Sequence, residues 1–212
     1  MADAHDTEVA EQETGEAPAL DPELLERRDA ALAQVIKFGD PVLNSKASPV
    51  GEFDEDLHRD VERMTAIMRD GLGVGLAATQ LGILRRILVF AAGMDAEPTA
   101  LVNPEVEWRS EETVLAEEGC LSIPRVTVDV DRPLHARVSG ADEHGHRVVV
   151  EASGLEARVL QHEIDHLDGV LMIDRTTREQ HKGALRALRE GEEYSPPIEA
   201  EEAAEGEAAT AA

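Results

Sequence analysis

The chain holds a single cysteine, Cys120, which excludes an intrachain disulfide. Phenylalanine, tyrosine and tryptophan together make up 2% of it, so aliphatic side chains must fill most of the core. Lys and Arg number 20 against 45 Asp and Glu, a formal charge of -25. No stretch approaches the roughly 18 consecutive apolar residues that a membrane span needs. The first residues have neither the basic n-region and apolar run of a secretory signal nor the Arg-rich, acid-poor composition of a transit peptide. These absences predict a cytoplasmic protein with no membrane partner.

What is present points to one folded domain between two acidic ends. Residues 1–30 hold ten acidic and two basic residues, and residues 190–212 hold eight acidic and none basic. Both ends are rich in Ala, Glu and Pro without hydrophobic periodicity. They lack the apolar surface needed to offset ordering entropy, so residues 1–30 and 191–212 are expected to be disordered extensions. Such ends keep a protein in solution, or deter polyanionic partners. The middle, residues 31–190, carries enough Val, Leu and Ile for a single core.

Within that middle, Asp54 is positioned to cap a helix reaching Asp70, where Leu57, Val61, Met64 and Met68 recur at spacings of three and four. A glycine-rich stretch follows, from Gly71 to Gln80. Strands are expected over Arg86–Ala91 and over Thr99–Val102, the latter ended by Asn103-Pro104. Alternation predicts further strands through Val126, Val128 and Val130 and through Leu134, Ala136 and Val138. A hairpin turn at Asp142–Gly145 leads into a run from His146 to Glu151. Helices are expected over Leu155–Leu167, with Gly169 at its C-terminal end, and over Thr177–Arg189. The class that follows is α+β, with mostly antiparallel sheets packed around a central helix and disordered acidic termini.

The central helix carries His162-Glu163-Ile164-Asp165-His166. Two histidines four apart lie one turn apart on one face, where both can reach one ion. Glu163 points about 100° round the helix and can approach a metal-bound water without ligating the metal. Taken alone, the motif fits either a metal site or a helix that happens to carry two histidines. It also names no third ligand: no His-x-x-Gly-x-x-His extension follows, and Glu179 falls in a separate helix. Cys120, in Glu118-Gly119-Cys120-Leu121-Ser122, is the best remaining soft donor, and one Cys with two His leaves an open fourth position. Gly73-x-Gly75-x-x-Ala78 superficially matches a dinucleotide-binding loop. It follows a helix instead of a strand, so no nucleotide cofactor is expected.

Three segments together resemble the peptide deformylases. They are Gly73-Val-Gly75-Leu-Ala77-Ala78-Thr-Gln80, Glu118-Gly119-Cys120-Leu121-Ser122 and Gln161-His162-Glu163-Ile164-Asp165-His166. The likeness spans about residues 33–178, including Gly39-Asp40-Pro41-Val-Leu43 and the Asn103-Pro104 turn. It implies an amidohydrolase that removes the formyl group from the formyl-methionine of nascent polypeptides. It further implies that Cys120, His162 and His166 hold one divalent ion, iron(II) or, in its place, Zn²⁺, Ni²⁺ or Co²⁺. Glu163 would move the proton, Gln80 and the Leu121 backbone N–H would face the oxyanion, and Gly75 would meet the substrate backbone. Val74, Leu155 and Val159 would line the methionine pocket. The runner-up is a His-Glu-x-x-His metalloendopeptidase; a non-catalytic ribosome-binding relative is disfavoured by the intact Glu163, Gln80 and Cys120.

Other residues leave alternatives open. Arg125 is expected near the substrate groove. Arg158 either recognises substrate or, the favoured reading, pairs with a surface acid. Asp165 either orients a ligand imidazole or is a solvated helix charge. His58, His135, His144, His146 and His181 are expected at the surface or in structural roles. Arg178, Lys182, Arg186 and Arg189 make a basic stripe on the last helix, either a solvated face or a surface that docks on ribosomal RNA.

Overall fold

The computed structural model describes residues 21–93 and 96–197. Five strands pair antiparallel in the order β1 (Gly75–Ala77), β2 (Ile87–Phe90), β3 (Thr99–Arg109), β6 (His135–Ala141), β7 (Arg147–Ser153). Two more, β4 (Thr113–Cys120) and β5 (Ile123–Pro133), form a separate antiparallel ribbon. The helices are α1 (Pro22–Leu32), α2 (Glu55–Asp70), α3 (Leu155–Leu167) and α4 (Arg178–Glu190). The α+β architecture with antiparallel sheets is the one expected.

Apolar faces decide how these pieces stack. α2 starts where the Asp54 side chain accepts from Leu57 N at 2.9 Å, and its stripe of Leu57, Met64 and Met68 is buried with Leu76, Ile87 and Val102. α3 lies at the centre: Leu160, Ile164 and Leu167 pack with Leu88, Leu101 and Val138 of the large sheet. α4 sets Ala184 against Val126, Val128 and the Leu171–Ile173 segment. The ends of α3 match its sequence, with Gly154 at the N-cap (φ 57°) and Gly169 (φ 75°) just past the C-cap Asp168. A Cβ on Gly169 would lie 2.7 Å from the Asn44 carbonyl oxygen, so both conformation and space require glycine there.

Four expectations need correction. The acidic N-terminal extension contains α1: Asp21 caps it through Glu23 N at 3.0 Å, Pro22 sits in its first turn, and Ala31 is buried against the α2 core. Charge composition hid an inward face that includes Leu24, Arg28 and Leu32. Residues 1–20 lie outside the described residues. Strand β3 does not stop at Asn103-Pro104 but runs on to Arg109. A register shift between Val102 and Glu105 absorbs the proline, and Asn103 (φ 53°) trades two hydrogen bonds with the Val50 backbone, at 2.7 and 2.9 Å. Strand β4 was not foreseen, because Val114 and Leu115 are exposed and no alternation marks it. The tail does not leave the domain at 191. Tyr194 N donates to Arg125 O at 3.0 Å and Thr127 N to Tyr194 O at 2.8 Å, seating the tail on β5. The rest of the acidic tail, 198–212, lies outside the described residues.

Gly183, within α4, faces the Tyr194 ring so closely that a Cβ there would overlap it. An alanine in a helix interior is normally worth about 1 kcal/mol over glycine. Gly183→Ala is expected to show none of that gain in a denaturant titration, but to show it in a Tyr194→Ala background. Equal gains in both backgrounds would mean the tail does not rest on α4.

Candidate metal centre and catalytic cleft

Two elements meet at the centre. The β4–β5 ribbon slips register between Gly119 and Cys120, and the following turn presents Cys120 to α3. There the Cys120, His162 and His166 donor atoms all lie within 4.8 Å of one another. Cys120 Sγ is 3.2 Å from His166 Nε2, and the two imidazoles sit edge to face with centroids 4.9 Å apart. Burial pushes the Cys120 thiol up, but the adjoining His166 and His162 outweigh it and hold the thiol well below its usual range. Gln80 Nε2 and Ser122 N approach the same sulfur at 3.5 and 3.4 Å. One thiolate and two imidazoles converging from a rigid strand end and a buried helix are a fitting donor set for a divalent transition ion.

The other expected residues gather round this point. Gln80 is buried on a short 3-10 turn; its Oε1 accepts from Ala77 N at 2.9 Å, which aims Nε2 at Ser122 Oγ and Cys120. Glu163 is buried, and its Oε2 has no partner among the described residues. Burial raises its carboxyl above the usual range despite the neighbouring histidines. A Cβ on Gly75 would collide with the Glu163 carboxylate, so a larger residue there would displace Glu163. A cleft of about 490 Å³ opens from there, lined by Val74, Gly75, Leu121, Leu155 and Val159 among others. Val74 and Leu155 are half exposed on its walls, while Val159 is buried.

The residue that sequence reasoning missed is Glu118. Its Oε2 meets His162 Nδ1 at 2.9 Å. Arg132 grips the same carboxylate through Nε and Nη2, at 2.9 and 3.0 Å, and Arg158 Nη1 donates to it at 2.8 Å. Glu118 is 5% exposed; burial would raise its carboxyl, but His162 and Arg132 hold it far below the usual carboxylate range. Its only local mark is its place two residues before Cys120; the strand that would pair them was not legible, and the register slips between Gly119 and Cys120. Two readings fall with it. Arg158 pairs with this buried carboxylate and not with a surface acid. Asp165 neither touches an imidazole nor is solvated; it accepts from Arg132 at 2.6 Å and from Arg175 at 2.6 Å. Of the remaining histidines, His58 holds the Glu143 carbonyl at 2.8 Å and His181 the Ile173 carbonyl at 2.7 Å, structural roles far from the cleft.

Glu118→Gln leaves every donor atom of the metal site in place but removes the anion that fixes His162. Metal affinity is expected to fall about 10- to 100-fold in a chelator competition. An unchanged affinity would show that the carboxylate does not orient the ligand.

The polypeptide deformylase family profile matches residues 32–182. A peptide deformylase of Parafrankia sp. is 46% identical over 160 residues, which cover 76% of this chain and 87% of its own. The crystal structure of the Thermotoga maritima peptide deformylase matches with a TM-score of 0.65 at 46% identity, covering 68% of this chain and 96% of that one. That of Synechococcus elongatus, in complex with actinonin, gives 0.69 at 38% identity, covering 74% and 87%. The chain therefore belongs to the polypeptide deformylase family, and is a metal-dependent hydrolase that removes the formyl group from formyl-methionyl peptides.

Proposed function

We propose that Cys120, His162 and His166 hold one divalent ion and that Glu163, Gln80 and the Leu121 N–H carry out the deformylation around it. The observation that supports this best is the convergence of the three donor atoms beside a buried carboxylate with a free oxygen. A divalent ion at that place would act as a Lewis acid and acidify a water. Glu163, its carboxyl raised by burial, takes the proton from the attacking water and returns it to the departing methionine nitrogen. The Gln80 amide, fixed by the Ala77 N–H, and the Leu121 N–H face the oxygen that becomes negative as the formyl carbon turns tetrahedral. Val74, Leu155 and Val159 take the methionine side chain, and Gly75 lets the substrate backbone come close.

Iron(II) is the ion we propose, with Zn²⁺, Ni²⁺ or Co²⁺ able to replace it; one thiolate and two imidazoles suit all four. The metalloendopeptidase reading is not favoured, since the third donor comes from β4 and not from downstream of the helix motif. Cytoplasmic residence fits an enzyme whose substrates are nascent chains. We also propose that α4 docks on the ribosome. Arg178, Lys182, Arg186 and Arg189 all lie on its exposed side, with Ala184 and Ala187 buried on the other.

Metal-loaded protein, kept anaerobic for iron, should release formate from formyl-Met-Ala-Ser. Glu163→Ala is expected to retain its metal and to lose about 10²- to 10⁴-fold in turnover; near-normal turnover would overturn the role given to Glu163. Reversing Arg178 and Lys182 to glutamate should weaken ribosome binding and flatten its salt dependence. An identical affinity at every salt concentration would remove α4 as the docking surface.

A further inference from the structure

The family match begins at residue 32, but the wall of the cleft begins earlier. Arg28 and Leu32 of α1 line it, together with Leu72, Gly73 and Arg125. α1 is fixed in this place at both faces. Ala31 packs into the α2 core, and Lys37 Nζ donates to Leu32 O at 2.9 Å and to Leu121 O at 3.0 Å, tying the end of the helix to the turn after Cys120. We propose that α1 is the outer wall of the substrate groove, and that Arg28 and Arg125 make the enzyme favour formyl-methionyl peptides whose third residue is acidic. The proposal rests on the deformylase reading of the site and names a preference within it.

The position follows from the chain geometry. Gly75 marks the catalytic end, because Glu163 stands against it, and Leu72, 52% exposed, marks the mouth. An extended peptide advances roughly 3.3 Å per residue. With methionine beside Gly75, the residue two further on reaches the part of the cleft that Leu72, Gly73 and Arg28 line. The charge follows from the lining. Neither Arg28 nor Arg125 is in an ion pair among the described residues. Arg125 is exposed, held at φ 63° near the start of β5, where its carbonyl accepts from Tyr194 N. Of the three lining carboxylates, Glu118 is consumed by His162, Arg132 and Arg158, Glu163 is buried at the catalytic end, and only Glu117 faces solvent, on β4. The mouth is thus locally basic on a protein of charge -25. At physiological ionic strength charges beyond about 8 Å are largely screened, so the near cations outweigh the distant acids.

The test measures kcat/KM for formyl-Met-Ala-Asp, formyl-Met-Ala-Ser and formyl-Met-Ala-Lys with amidated C-termini, using metal-loaded full-length protein. The order Asp over Ser over Lys is expected, with about a tenfold span, as two partly exposed charges can supply, shrinking toward unity at about 0.5 M salt. Arg28→Glu should level or invert the order, whereas Arg27→Glu, on the exposed side of α1, should keep it. Equal rates on all three peptides in the unaltered protein overturn the proposal. So does an Arg28→Glu variant in which all three fall together with their ratios intact, since that is loss of the helix wall and not of its charge. Absence of formate from every peptide with metal bound would instead strike the deformylase reading itself.

Discussion

Everything at the site depends on one buried carboxylate, that of Glu118. It accepts from the His162 imidazole and from two guanidinium groups at once, at distances between 2.8 and 3.0 Å. Removing any of these groups from water costs several kcal/mol per ion, roughly, and only close mutual pairing offsets it. Arg132, 5% exposed, has its pKa raised because Glu118 and Asp165 both stand against it, whereas burial alone would lower it. The cluster is therefore all or nothing. Each member is tolerable only while the others hold their places, which makes it a register pin as much as a source of stability.

That pin joins parts which the sheets leave apart. The β4–β5 ribbon shares no ladder with the five-stranded sheet, yet Cys120 must meet two histidines on a helix packed against that sheet. Glu118 on β4, Arg132 on β5 and Asp165 on α3 form one connected chain of hydrogen bonds, continued to Arg175 beyond α3. Apolar packing fixes the ribbon only broadly, since hydrophobic contact has no direction. Directional charge-assisted bonds supply the remaining precision, and a metal ligand set requires it, because donor positions must hold to within a few tenths of an ångström.

How much of this was legible follows from where each signal lives. The helix α3 was read to its end residues, because its caps and its 3.6-residue stripe are local properties of the chain. The donors were legible through residue chemistry: two histidines at one-turn spacing and the one cysteine. Strand β4 was not, because most of its residues are exposed, on both faces, so no alternation of hydrophobicity marks it. The extension of β3 through Pro104 was hidden by a bulge whose partner, Val50, is far away in sequence. Asp165 and Arg158 were misjudged for the same reason. Their partners lie on β4 and β5, and only the fold shows that a charge on a helix is buried against another strand.

The cleft also bears on why an internal peptide bond is a poor match for this centre, although the helix motif alone would accept one. Behind Gln80 stand Thr79 and Ser122, both fully buried, and Glu163 fills the space beside Gly75. The reactive end is thus closed by side chains that are themselves hydrogen-bonded: Thr79 to His166 O at 3.1 Å, and Ser122 to Gln80 at 3.2 Å. Among the described residues, the cleft reaches solvent past Val74 and Leu72, both about half exposed. With the roles proposed for Gln80 and Glu163, a carbonyl at the donors has room for a chain on its amine side. A formyl group, with hydrogen in place of a further residue, meets that condition. A bond within a polypeptide would have to lead its upstream half past the Gln80 turn, whose side chain is held by Ala77 N and Ser122 Oγ and which we propose faces the oxyanion. Selectivity for the first residue of a chain is in this sense a consequence of how the catalytic end is walled, and the same wall gives the Gln80 amide its fixed direction.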